Sequence, residues 1–490
     1  MSLGEKNIRN FFIYIFPKFV GYGVQFVTLP ILTRILSPAD FGVVTMTMLF
    51  ATLGASVLTL GITSAAQRYY FEYKPGGDGL NALVFSSQLF LYLMLAVSSA
   101  AAFFFKDRVA LLITGDAKYG TAVFLMFIAG YLGQVINFYL YMYQNMEKAS
   151  WHSAFNISRS VLTGALSLLL VWHFRMSYMG MIWASLAATA AVCLAMFVLF
   201  NRGFTFRLSF RVLIDNIKFG LQIVPKSLTG FINLYFDKYM INNMLSLSAV
   251  GVYNIGQSVG NLAFFLMSAI WSSFQPVYYR DVFDRGAEAS GNVGRIFTIF
   301  AYISLAPLLV LILFAGEALS VIAPPAYYGA LDVIIIISAG VATQTFGMYV
   351  GVQYAYTKKA YWLFPITVAG TIVNVIANVI LIPRLGLTGG AVSSALSTAA
   401  FNVIAIAIGQ RIYRIGYEWK PIAVLYALIA LAIPSALYVR TDAFPFAVVY
   451  GIKLSLIAFY LFAGIKTRII TETSIKKVAG SLFNYRRKEA

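Results

Sequence analysis

Acidic side chains are scarce in this chain, 18 Asp and Glu against 36 Lys and Arg over 490 residues, and it has one cysteine and two histidines. Cys193 lies inside an apolar run and can form no internal disulfide. His152 and His173 fall at opposite ends of one apolar segment, too far apart to share a metal. No carboxylate pair or nucleophile triad is spaced around them. The cluster Gly76-Gly77-Asp78-Gly79 lacks the Lys-Ser/Thr that follows in a phosphate loop and reads as a turn. There is no ATPase signature, and no loop exceeds about twenty residues, which leaves no room for a soluble catalytic or nucleotide-binding domain. The expectation is a protein that is not an enzyme, carries no cofactor or metal, and draws any work from ion gradients, membrane potential or substrate concentration.

Apolar residues dominate instead: 60% hydrophobic and 11% charged, with a mean hydropathy of +0.79. Runs of about 20 apolar residues recur from end to end, each long enough to cross a bilayer of roughly 30 Å. The alternating segments of a β-barrel are missing. The fold class is therefore an all-α polytopic membrane protein of about 14 transmembrane helices. They fall near 11–36, 41–64, 81–105, 119–143, 153–173 and 179–200, then 217–245, 250–273, 293–314, 331–356, 361–382 and 388–410, with two more at 421–439 and 444–465. A basic linker joins the two groups of six at about 201–216. The first run, behind Lys6 and Arg9, has no small-residue cleavage site and reads as a retained helix.

The net charge of +18 is not a nucleic-acid signal here. With the N-terminus inside, alternate loops and the tail hold 23 basic residues on the cytoplasmic side and 6 on the other. That bias is the one membrane insertion imposes, and an even number of spans puts both termini in the cytoplasm.

The stretch Thr33-Arg34-Ile35-Leu36-Ser37-Pro38-Ala39-Asp40-Phe41-Gly42 closes the first apolar segment and opens the second. Ser37 suits an N-cap, Pro38 the first helical position and Asp40 the carboxylate of a capping box. Landmarks recur at a nearly constant offset: Pro17-Lys18 returns as Pro225-Lys226, Gly42 as Gly251, and Lys148-Ala149-Ser150-Trp151 as Lys359-Ala360-Tyr361-Trp362. Each copy has six spans, so both enter the membrane in the same direction, a parallel repeat of the type that secondary transporters rock around a site. The expected domains are an N-terminal six-helix lobe (1–202), a C-terminal six-helix lobe (203–412), and two extra helices with a basic tail (413–490).

Polar residues inside the spans mark the candidate site, because they are costly in a bilayer and turn toward cavities or one another. Lys18 and Gln25 share a face of the first helix, as Lys226 and Asn233 do in the seventh, where the stripe continues to Asp237. Asn254, Gln257 and Asn261 lie on one face of the eighth, and Gln134 in the fourth matches Gln344 in the tenth. Lys18, Lys226, Lys238, Arg34 and Arg159 would make a central cavity cationic, suited to phosphate oxygens. Lys18 and Arg34 also fit a second role as snorkelling anchors, Lys238 can pair with Asp237, and Lys453 in the last span reads as structural. Tyr131, Gln134, Phe138, Tyr141 and Asn145 repeat at helical spacing; the face suits sugar stacking, and equally suits packing or an interfacial belt.

The 33–42 stretch, the Lys-Ala-Ser-Trp motif after the fourth span and the six-plus-six-plus-two layout resemble the polysaccharide transporter (Wzx-type, O-antigen flippase) branch of the multidrug/oligosaccharidyl-lipid/polysaccharide exporter superfamily. The resemblance covers essentially the whole chain. It implies a two-lobe transporter that turns an undecaprenyl-diphosphate-linked oligosaccharide across a bacterial or archaeal cytoplasmic membrane for cell-surface polysaccharide synthesis. The diphosphate would meet the cations Lys18, Arg34, Arg159, Lys226 and Lys238; the sugars would meet the polar lumen. Coupling to Na+ or H+ is implied, with Asp237 as the candidate acid. Implied partners are membrane lipids, a polysaccharide polymerase and a chain-length regulator. A peptidoglycan-precursor flippase shares the architecture, and a multidrug cation antiporter would need more buried acids than this chain has. An integral-membrane polymerase or ligase would need a large external catalytic loop.

Overall fold

The computed structural model describes residues 3–74, 76–439, 444–467 and 469; of residues 3–15, 226 and 234 it describes the backbone alone. Among the described residues the chain is helical, with no strand. Among the described residues, eleven segments are long and apolar enough to cross a membrane, one of which, Leu247–Leu313, contains three successive helices. The polytopic all-α class read from the apolar runs is the class observed.

Two compact units divide the chain: residues 1–254 with 321–327, and 255–320 with 328–490. The first holds α1 (Leu3–Ile35), α2 (Pro38–Leu58), α3 (Ile62–Tyr69), α4 (Asp78–Thr114), α5 (Gly120–Asn145), α6 (Ala149–Leu168), α7 (Ser177–Asn201), α8 (Phe210–Leu221), α9 (Val224–Met244) and the first turns of α10 (Leu247–Gly260). The second holds the end of α10, then α11 (Leu262–Arg285), α12 (Ser290–Leu313), most of α13 (Ala315–Ile322), α14 (Leu331–Ala342), α15 (Gln344–Tyr356), α16 (Leu363–Leu385), α17 (Leu387–Ile412), α18 (Trp419–Tyr438) and α19 (Phe446–Lys466).

The 33–42 stretch folds as its residues dictate. The Ser37 backbone N–H donates to Asp40 Oδ2 at 2.9 Å, the Asp40 N–H donates to Ser37 Oγ at 3.2 Å, and Pro38 occupies the first turn of α2. This capping box satisfies backbone donors that no helical carbonyl can reach. Asp40 does a second job: its Oδ1 accepts the Ser177 hydroxyl at 2.7 Å, pinning the start of α7 to the start of α2. The preceding residues grip the segment 321–327: Thr33 Oγ1 donates to Ile322 O at 2.6 Å, and Tyr327 OH donates to Leu36 O at 2.8 Å.

The repeat landmarks Gly42 and Gly251 meet. A Cβ on Gly42 would overlap the Leu247 carbonyl, and one on Gly251 would overlap the Pro38 carbonyl. The first turns of α2 and α10 therefore cross backbone against backbone, which only residues without side chains allow.

Four expected spans are interrupted, among them 217–245, which breaks at Gln222 and Ile223 between α8 and α9. The segment 41–64 breaks at Gly61, in the left-handed region at φ 68°. The segments 250–273 and 331–356 break at Asn261 and Thr343; Thr343 Oγ1 bonds back to Gly340 O at 2.8 Å, the kind of hydroxyl back-bonding that bends a helix. The basic linker at 201–216 is not continuous coil. α8 starts within it and runs on to Leu221, and its N-cap Ser209 Oγ accepts the Val212 N–H at 3.4 Å. Val212, Leu213 and Ile217 pack α8 onto the first unit's core while Phe210 and Ile214 face outward. Interspersed charges at Arg211, Asp215 and Lys218 hide this amphipathic turn from a hydropathy reading.

Aromatic rings fill both cores. In the first unit Tyr131, Phe138, Tyr139 and Tyr143 are buried along α5. In the second, Tyr278 and Tyr349 stack at 4.1 Å, and Tyr349 OH donates to Val293 O at 2.6 Å. The last two helices are held by Tyr460, which stacks on Tyr302 at 5.0 Å and donates to the Tyr302 carbonyl at 2.6 Å.

Candidate functional site

Five helices of the first unit, α1, α2, α5, α6 and α7, enclose a cavity of about 660 Å3. Small residues on facing helices open it: Gly21 on α1, Gly130 and Gly133 on α5, and Gly164 on α6 all line the wall. Polar groups converge inside: Gln25 and Thr28 from α1, Thr52 from α2, Gln134 and Asn137 from α5, Arg159, Ser160 and Thr163 from α6, and Ser185 and Thr189 from α7. Asn137 Nδ2 donates to Gln134 Oε1 at 3.3 Å, which fixes the orientation of that amide pair. Among the described residues, no acid lines the cavity.

Among the described residues, Arg159 is the one charged group on this wall. It is half-buried, and among the described residues none accepts a hydrogen bond from its guanidinium or pairs with it as an acid. Five N–H donors in a desolvated wall without a protein acceptor leave the group to water or an incoming anion.

The structure thus gathers Gln25, Gln134 and Arg159 of the sequence candidates and places the others elsewhere. Lys18 is exposed on α1. Arg34 does not face this cavity; its guanidinium donates to the carbonyls of Pro30 at 2.8 Å and Val321 at 3.1 Å. Lys226 lies on α9, but its side chain is outside the described residues. Lys238 is 5% exposed, with its ammonium 5.3 Å from the centre of the Tyr235 ring. Asp237 is also buried; it accepts the Tyr253 hydroxyl at 2.6 Å and the Lys238 backbone N–H at 2.7 Å.

The aromatic face of α5 divides. Tyr131 is fully buried against Phe127 in the core and lines no part of the cavity, because its ring is consumed in packing. Tyr141 is exposed at 36% and likewise lies off the cavity wall. Asn233 and Asn254 are half-buried in the first unit; Gln257 and Gln344 are half-buried and Asn261 exposed in the second.

Sequence reasoning passed over one charged cluster in the second unit. Glu317 Oε1 accepts Lys453 Nζ at 2.5 Å and Tyr450 OH at 2.8 Å, beside a cavity of about 490 Å3 between α12–α14 and the last two helices. Lys453 is thereby structural, as its position in the last span suggested. Glu317 was missed because it stands in a short segment between two expected spans, outside the apolar runs in which polar residues mark a candidate site.

Residues 8–279 match the model of the polysaccharide biosynthesis protein family. The chain is 25% identical over 320 residues to the succinoglycan biosynthesis transport protein ExoT of Rhizobium meliloti (strain 1021), a match spanning 63% of this chain and 60% of that protein. Among solved structures, the lipid II flippase MurJ in its inward closed conformation superposes with a TM-score of 0.72 at 11% identity, over 94% of this chain and 99% of that one. An inward-facing multidrug transporter of the MATE family, in the MOP superfamily, superposes with a TM-score of 0.66 at 14% identity, over 80% and 94%. At these identities the two structures speak for the fold alone.

Proposed function

The chain belongs to the polysaccharide biosynthesis protein family, and from that premise we propose that it is a transporter that turns polyprenyl-diphosphate-linked oligosaccharides across the cytoplasmic membrane. The observation that carries this reading is the cavity around Arg159: a helix-walled, hydroxyl- and amide-lined space with one unpaired cation and no acid. Such a lining favours an anionic, hydroxyl-rich cargo and disfavours organic cations, which would sit against a guanidinium with nothing to neutralise them. The prenyl tail remains in lipid while the polar head passes through protein. Sequence similarity to ExoT, a succinoglycan biosynthesis transport protein, supports a glycan cargo; the MurJ-like fold is compatible with lipid-linked cargo.

Both termini lie in the cytoplasm in this reading, and transport is coupled to Na+ or H+ through buried Asp237. The partners are the lipid-linked oligosaccharide, membrane lipids, and a polysaccharide polymerase and chain-length regulator that use the delivered unit. The test is transfer of a fluorescent polyprenyl-diphosphate oligosaccharide in proteoliposomes holding the purified protein, with uptake of a cationic drug followed in parallel. Flipping above protein-free vesicles is the expected result. Drug uptake without flipping would overturn the reading and make the protein a drug antiporter.

A further inference from the structure

A guanidinium in a helix-walled cavity identifies its ligand partly through what accompanies it. Among the described residues lining the cavity with Arg159 there is no second cation, no acid and no aromatic ring; the polar companions are amides and hydroxyls, among them Gln25, Thr52, Gln134, Asn137 and Ser160. A diphosphate bridge carries an ionised oxygen on each phosphorus, so a lone guanidinium leaves one charge unpaired in a low-dielectric site, which is costly. Phosphate oxygens also only accept hydrogen bonds, whereas the amide oxygens and hydroxyls on this wall present acceptors as well as donors. Sugar hydroxyls both donate and accept and suit such a lining. A carboxylate carries one charge and matches the planar guanidinium fork with two parallel bonds. The volume of about 660 Å3 falls within the roughly 300–1,000 Å3 of small-molecule sites, room for a sugar residue.

We propose that this cavity is a saccharide subsite selective for a single carboxylate: it receives an acidic sugar of the lipid-linked unit, of the uronic-acid class or with an equivalent carboxylate substituent, and Arg159 is its bidentate partner. The inference rests on the flippase reading and moves Arg159 from the diphosphate, where its charge alone first places it, to the glycan. The diphosphate is left to other cations of the chain.

The experiment compares two fluorescent polyprenyl-diphosphate disaccharides that differ only at C6 of the terminal sugar, a carboxylate in one and a hydroxymethyl in the other. Flipping of each is measured in proteoliposomes with the full-length protein, Arg159→Gln and Arg159→Lys. Each variant is scored by its own ratio of the two rates, so partial loss of folded protein cancels. The wild type should favour the uronate lipid about tenfold or more, the scale of hydrogen bonds to a charged group. Arg159→Gln should bring the ratio close to unity, and Arg159→Lys, which keeps the charge without the fork, should fall between. Equal rates in the wild type overturn the proposal. So does an Arg159→Gln variant that slows both lipids by one factor, since the guanidinium would then serve the diphosphate they share. A wild type that moves neither lipid refutes the transport reading itself and takes this inference with it.

Discussion

Gly42 and Gly251 give the sharpest test of the packing. Each faces a backbone carbonyl of the opposite helix, Leu247 O for Gly42 and Pro38 O for Gly251. A side chain that met the flexible tip of a neighbour could push it aside; one that meets a carbonyl can only separate the helices. Overpacking of this type costs about 1–3 kcal/mol, which lowers the population of the crossed arrangement roughly 5- to 150-fold relative to any arrangement in which the two turns part. Because either methyl alone already forces separation, the second adds little: the double alanine variant should cost clearly less than the two single costs summed. Spin labels at Ala39 and Ser248, beside the crossing, in a Cys193→Ser background report the distance directly. The expected result is one short, narrow distance in the parent and a longer or bimodal distribution in Gly42→Ala and Gly251→Ala. An unchanged narrow distribution in both variants would refute the close crossing.

Further outcomes follow from two named contacts. The Lys453 side chain is 10% exposed and that of Glu317 36%, so Lys453→Met should destabilise by roughly 1–3 kcal/mol, below the cost of breaking a fully buried pair because solvent reaches the carboxylate. A double-mutant cycle with Glu317→Gln, read by denaturant or thermal unfolding in micelles, should give a non-zero coupling, and strict additivity would count against the pair. Glu317 titrates below its ordinary value of 4.5: burial works to raise it, and the hydrogen bonds from Lys453 and Tyr450 outweigh that. Its folded-state value being depressed, its contribution is complete above the unfolded value and is lost as pH falls through the folded one; the wild-type advantage over Lys453→Met should be flat at neutral pH and shrink only in acid. Ser37→Ala removes the acceptor for the Asp40 N–H and should cost about 0.5–2 kcal/mol, measurable as faster hydrogen exchange in the first turn of α2; equal exchange in the variant would show that the cap contributes nothing there.

What was legible in the sequence was whatever is written locally or by period. The apolar runs gave the spans, and Ser37, Pro38 and Asp40 gave the start of α2, because capping is decided within four residues. The long-range uses of the same stretch were illegible: nothing at Asp40 announces Ser177, 137 positions away. Polar residues in the spans pointed to a cavity, yet periodicity could not say which face each helix turns inward. Hence Gln25, Gln134 and Arg159 converge, while Tyr131, on the same helix as Gln134 and three positions before it, is lost to the core. Arg34 and Arg159 show the same gap most clearly, since both are arginines near polar neighbours in apolar helices. Arg34 ends its helix and reaches two carbonyls, which satisfies its charge locally. Arg159 sits in mid-helix opposite Gly133, whose missing side chain leaves space beside the guanidinium. The signal in the sequence was therefore Gly133 together with the cation, and not the cation alone: a residue without a side chain on the facing helix leaves a half-buried charge lining a cavity.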